Sequence, residues 1–173
     1  MQVQANLVTD RGLLCHPASP ARSVDAVAIS ASIGRGKSVI SYRIIGNAMM
    51  AAAAEARRAD GLWKHTCFEL FVWPEGGSEY FEFNFAPSTE WAAYRLSAYR
   101  ADLEALPIAA PGIERLEDGV RVTVDLSGLS EGAWRVGISA VIEEPDGTIS
   151  YWALAHPDGK ADFHDPACFA LTI

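Results

Sequence analysis

The feature that most constrains this chain is a period of two. Apolar and polar residues alternate along nearly every segment, and clusters of glycine, proline, aspartate or serine repeatedly interrupt the alternation. Successive side chains of a strand point to opposite faces, so each such run offers one face to a core. Many short runs divided by turn residues predict an antiparallel all-β sandwich. The expected strands are residues 2–8, 24–33, 37–46, 63–73, 78–86, 91–100, 119–126, 133–144, 148–156 and 167–173, with Gly34-Arg35-Gly36 as the first clear turn. The alanine-rich stretch 47–60 starts at Asn47, a good N-cap, and carries Arg57 and Arg58 near its end. It reads equally as a short helix or as a long surface loop.

Composition then narrows the partners. The 173 residues carry 22 acidic against 14 basic side chains, a net charge of −8, with no block of lysine or arginine. A phosphate backbone is held mainly by clustered cations, so nucleic acid and anionic membranes are poor partners. No apolar run approaches the roughly 20 residues of a membrane span, and the first residues lack the pattern of a secretory signal, so a cytoplasmic location is expected. Cys15, Cys67 and Cys168 lie far apart and read as reduced thiols. Gly-rich nucleotide loops, HExxH, GxSxG and EF-hand loops are absent. A single domain spanning residues 1–173 is expected.

Hairpin loops set the registers of the central strands. A four-residue loop Pro74-Glu75-Gly76-Gly77 places Phe68, Leu70 and Val72 against Phe83, Phe81 and Glu79 on a core face, and Glu69 against Glu82 on the other. A second four-residue loop, Pro87-Ser88-Thr89-Glu90, sets Asn84 against Ala93 and Glu82 against Arg95. The expected result is a polar row, Glu69, Glu82 and Arg95, flanked by Cys67, Asn84 and Ala93 and by the aromatic Trp63, Phe71, Tyr80, Trp91 and Tyr99. Such a row suits a sugar-sized ligand, because carboxylate and guanidinium bond hydroxyls while ring faces stack on apolar carbon. An ordinary cross-strand ion pair explains the same residues equally simply.

Asp146-Gly147 signals a two-residue hairpin that pairs Ile142 with Tyr151, Ala140 with Ala153 and Val141 with Trp152. Trp152, beside Ser139, Ser150 and His156, reads equally as a second aromatic platform or as a residue packed under a loop. The segment from Ala155 to Pro166 concentrates His156, Asp162 and His164. Its spacing matches no metal motif, and side chains bonding the local backbone explain it better, so no metal is expected.

The blocks Arg58-Ala-Asp-Gly-Leu-Trp-Lys-His-Thr-Cys-Phe-Glu-Leu-Phe, Tyr80-Phe-Glu-Phe-Asn-Phe-Ala-Pro, Trp91-Ala-Ala-Tyr-Arg and Ser150-Tyr-Trp-Ala-Leu-Ala-His-Pro resemble the bacterial DOMON-like proteins, relatives of the family-9 carbohydrate-binding modules. The resemblance implies a jelly-roll-like sandwich. It also implies a tryptophan pair clamping a sugar, for which Trp63 and Trp152 are the matching positions and Glu69 and Arg95 the polar partners. The expectation is a non-catalytic module for a small polar ligand, a sugar or glycan end, bound by Trp63, Lys64, Glu69, Glu82, Asn84, Trp91, Arg95, Trp152 and His156. No cofactor is expected. Two alternatives are a haem-binding DOMON-type domain using Met49 or Met50 with a histidine, and a glycoside hydrolase using Glu69 and Glu82.

Overall fold

A computed structural model describes residues 6–173. The strands are β1 (Leu7–Cys15), β2 (Val24–Ile33), β3 (Lys37–Gly46), β4 (Cys67–Pro74), β5 (Tyr80–Phe85) and β6 (Trp91–Leu96). They continue as β7 (Glu104–Ala105), β8 (Gly112–Leu116), β9 (Gly119–Asp125), β10 (Trp134–Glu143), β11 (Ile149–Ala153) and β12 (Leu171–Thr172). Among the described residues there is no α-helix; Leu62–Lys64 and Pro166–Cys168 form single 3-10 turns.

All strand pairs are antiparallel, and the hydrogen-bonded order is β7-β6-β5-β4-β10-β11-β1-β2-β3-β9-β8, with β12 also on β10. Strand β1 belongs to both layers: it pairs with β2 from Leu7 to Leu13, then with β11 through Leu14 and Cys15. The sheet thus curls over on itself. Val27, Ile29, Ile40, Tyr42 and Val122 from one layer meet Phe68, Leu70, Phe83, Ile138 and Ala140 from the other in one core. This is the expected all-β sandwich.

Residues 2–5 of the first expected strand lie outside the described residues. Strand β8 has no counterpart in the sequence reading, because Gly112-Ile113-Glu114-Arg115-Leu116 does not alternate cleanly. Of the two readings of 47–60, the extended one holds. The amides of Met49, Ala54 and Ala59 bond the carbonyls of Glu143, Ser88 and Trp91 at 2.7, 2.8 and 2.9 Å. Alanine's helix preference is worth only tenths of a kcal/mol per residue, about the level that such tertiary bonds override.

Two hairpins depart from the expected register by one residue, for the same reason. At Ala86–Glu90 the Ala86 amide bonds the Glu90 carbonyl at 2.9 Å, the Thr89 amide bonds the Ala86 carbonyl at 3.0 Å, and Thr89 has φ 78°. At Glu144–Thr148 the equivalent bonds are 2.8 and 2.9 Å, and Gly147 has φ 85°. Each is a three-residue loop, a tight turn followed by one left-handed residue, in place of the expected four-residue and two-residue loops. Glu82 therefore pairs with Tyr94, Phe81 with Arg95, Ala140 with Trp152 and Val141 with Tyr151. The β4–β5 hairpin is displaced by two, pairing Leu70 with Phe83 and Glu69 with Asn84, which leaves its faces as expected. Phe68, Leu70, Phe81, Phe83, Ile138, Ala140 and Ile142 are buried in the central core; Tyr94 is buried on the opposite face.

Candidate functional site

The site lies on the face of the second layer that turns away from the core. Odd-numbered residues of β4 and even-numbered residues of β5 and β6 share this face, so Glu69, Phe71, Tyr80, Glu82, Asn84, Tyr94 and Leu96 stand together. Strands β10 and β11 extend it with Ser139, Val141 and Tyr151. The segment after β11 folds back over it. Gly137 permits that close approach: a β-carbon there would stand 3.0 Å from the Cys168 carbonyl oxygen and 3.5 Å from the Phe71 side chain.

Between cover and sheet opens a pocket of about 380 Å³. Glu69 and Glu82 form its floor, Trp63, Tyr151 and Phe163 supply aromatic walls, Arg100, Asp162 and His164 add polar groups, and Leu96, Leu103, Val141 and Ala161 complete the lining. Its volume falls within the roughly 300–1,000 Å³ of small-molecule sites.

The two floor carboxyls are only 3% and 4% exposed. Ser139 donates to Glu69 Oε2 at 3.3 Å, and the Asn84 amide donates to Glu82 Oε1 at 3.0 Å. Burial pushes the Glu69 carboxyl well above the ordinary carboxylate range, and the neighbouring Glu82 charge pushes it further. Burial raises Glu82 as well. Neither forms a salt bridge with lysine or arginine among the described residues. Arg100, whose charge opposes the rise of both carboxyls, donates to Asp162 at 2.7 Å. Tyr99 also donates to Asp162, and these bonds hold that carboxyl below its ordinary value despite partial burial.

His164 links cover to floor. Its Nδ1 lies 2.7 Å from the Tyr80 hydroxyl, which already accepts the Arg100 amide at 3.1 Å, while Nε2 faces Glu82 Oε2 at 3.7 Å. Burial, helped by the Arg100 charge, pulls the imidazole down to about 4. The ring is therefore neutral near pH 7, and the tautomer that lets Tyr80 donate to Nδ1 directs Nε2–H toward Glu82.

Three of the nine sequence-selected residues line the pocket: Trp63, Glu69 and Glu82. Asn84 is fully buried and bonds Glu82, and Lys64 is exposed beside Trp63 without lining the cavity. The slipped registers remove Arg95, Trp152 and Trp91, and His156 lies beyond the end of β11. Arg95 faces away, pairing with Glu79 and, at 3.7 Å, Glu104. Trp152 is turned into the core, its indole N–H on Ser150 Oγ at 2.9 Å. Trp91 is likewise in the core, under the Arg58 guanidinium at 4.5 Å. His156 donates from Nε2 to the Leu14 carbonyl at 2.7 Å and stands edge-on to His16 at 4.9 Å. Sequence reasoning missed Arg100, Tyr151 and Phe163. Arg100 sits in a turn with φ 51°, where no period points to it, whereas Val141 opposite Tyr151 needed the correct loop length.

The fold and its lined cavity place the chain among curled antiparallel β-sandwiches with a pocket on one outer sheet face. A Bacteroides uniformis protein, provisionally described as carbohydrate-binding, is similar in fold at a TM-score of 0.70 with 14% identity, covering 95% of this chain and 85% of that one. No protein-family model matches the chain, and no curated protein matches it.

Proposed function

We propose that this protein is a non-catalytic module that binds a sugar or glycan end in the pocket above Glu69 and Glu82. One observation carries the reading: two buried carboxyls with unused acceptor capacity lie beneath an open cavity walled by Trp63, Tyr151 and Phe163. Carboxyl oxygens accept from ring hydroxyls, and aromatic faces cover the C–H face of a sugar. The description of the Bacteroides protein and the DOMON-like sequence blocks support the same class of ligand. The clamp, however, pairs Trp63 with Tyr151 or Phe163, since Trp152 belongs to the core.

Hydrolysis is the weaker reading. Glu69 and Glu82 rise from adjacent strands on one face, so both carboxyls approach a ligand from beneath, whereas a glycosidase pair flanks the scissile bond. Haem binding finds no support at Met49, which is half-exposed, or at Met50, whose neighbouring cavity has no histidine in its lining. Thermal-shift screening against mono- and disaccharides, with a Trp63→Ala control, tests the proposal. A sugar that raises Tm in the parent protein but not in the variant supports it, because a ligand bound only to the native state stabilises that state. No shift with any sugar, or a Soret band in the purified protein, overturns it.

A further inference from the structure

The charges around the pocket do not balance. The lining contains three carboxyls, Glu69, Glu82 and Asp162, and one guanidinium, Arg100. Arg100 pairs directly with Asp162, and its charge acts on Glu69 and Glu82 only from a distance, without a hydrogen bond to either. The imidazole of His164 is neutral near pH 7, and the thiol of Cys67 and the phenols of Tyr80, Tyr94 and Tyr42, all near the carboxyl pair, are raised and stay protonated. Lys64 adds nothing, because it is exposed and outside the lining.

Glu69 is the telling member. It is 3% exposed, its Oε2 has one bond at 3.3 Å, and its Oε1 has no hydrogen-bond partner among the described residues although the residue lines the cavity. Oε1 is also not among the side-chain oxygens sealed from solvent without a partner, so it opens on the cavity. A buried carboxyl with free acceptor capacity, beside a second one, is completed best by a donor that also brings positive charge. Trp63 and Phe163 offer ring faces that favour the same charge.

We propose that the preferred ligand carries a primary ammonium group on its polyhydroxyl ring, an amino sugar, with the ammonium held between Glu69 and Glu82. This rests on the reading of the pocket as a sugar site and specifies its ligand class. In the free protein burial and mutual repulsion favour the protonated form of the carboxyl pair. An ammonium group beside the pair favours both carboxylates, so any proton the pair holds passes to the buffer on binding, and no covalent bond is exchanged between ligand and protein. An anionic sugar would add a like charge beside the pair and is excluded.

The test is calorimetry at pH 7 with matched sugars: glucosamine, galactosamine and mannosamine against glucose, galactose, mannose, N-acetylglucosamine and glucuronic acid. At least one amine should bind ten times or more tighter than its hydroxyl counterpart and than N-acetylglucosamine. Its apparent enthalpy should change between phosphate and Tris buffers in proportion to their ionisation enthalpies, reporting proton release. Glu69→Gln should bring the ratio of amine to hydroxyl affinity close to one, and Glu82→Gln provides the same test if the first variant does not fold. Equal affinity for amine and neutral sugars, or tightest binding of glucuronic acid, overturns the ammonium assignment and leaves the sugar site standing. Binding of none of the eight sugars overturns both.

Discussion

Strands β4 and β5 make two opposite kinds of surface from one alternating sequence. Their inner face, Phe68, Leu70, Phe81, Phe83 and Phe85, is apolar and closed against the other layer. Their outer face alternates with it residue for residue, yet it buries Glu69, Glu82 and Asn84 nearly as completely. Burial alone therefore does not distinguish stabilising positions from binding ones. The inner face gains free energy by leaving water, whereas the outer carboxyls are held out of water at a cost that the rest of the fold offsets. A surface that tolerates that cost is a candidate for function.

The largest effect that would break this contrast is on the inner face. Phe83→Ala should lower stability by about 3–5 kcal/mol, measured by urea unfolding, because a fully buried ring leaves a cavity. A loss below about 1 kcal/mol would mean that the inner face does not carry the fold. Trp63→Ala supplies the converse. With 41% of Trp63 exposed, its stability cost should stay under about 1 kcal/mol while sugar binding weakens by about 1–3 kcal/mol. Equal loss of both would make Trp63 a packing residue.

A smaller effect sharpens the electrostatic half of the comparison. Because the folded Glu69 carboxyl is raised above its unfolded value, its contribution is fully present below that unfolded value, near 4.5, and is lost as pH rises toward the folded one. Glu69→Gln cannot ionise, so its stability relative to the parent should improve as pH rises from about 4.5 to 8. A difference that stays flat over this range would show an unperturbed carboxyl. His164 runs the other way: its folded value of about 4 lies below the unfolded 6.5, so the parent loses stability as pH falls from 6.5 toward 4, and His164→Gln should flatten that limb. The smallest effect belongs to Arg95→Ala, which should change stability by less than about 0.5 kcal/mol and leave sugar binding intact, because among the described residues its exposed guanidinium pairs with Glu79 and Glu104, away from the pocket.

The fold class was legible because alternation survives at nearly every strand, and the parity of β4 and β5 alone was enough to put Glu69 and Glu82 on the face opposite Phe81 and Phe83. The partner cation was not legible. One residue of loop length separates Arg95 beside Glu82 from Arg95 on the far side, and that length depends on Thr89 adopting a left-handed conformation that threonine rarely takes. At Gly147 the same geometry has a permissive residue, yet Asp146-Gly147 fits a two-residue loop as well as a three-residue one. Hydrophobic matching could not arbitrate, since small alanines at 92, 93, 140 and 153 suit either face. The covering segment around Asp162 and His164 has no period, and it reaches the pocket only through tertiary contacts such as Tyr80 with His164.

The double membership of β1 bears on how the molecule assembles during synthesis. Its pairing with β2 is available as soon as residue 33 has emerged, whereas its pairing at Leu14 and Cys15 must wait for Trp152 and Ala153, well over a hundred positions later. The seam between the layers is therefore among the last joints to close, and until then the end of β1 and the flank of β11 are open strand edges. Contacts so distant in sequence are slow to form, and unpaired edges recruit other chains, so dilution and cotranslational chaperones should favour native yield more than cooling does.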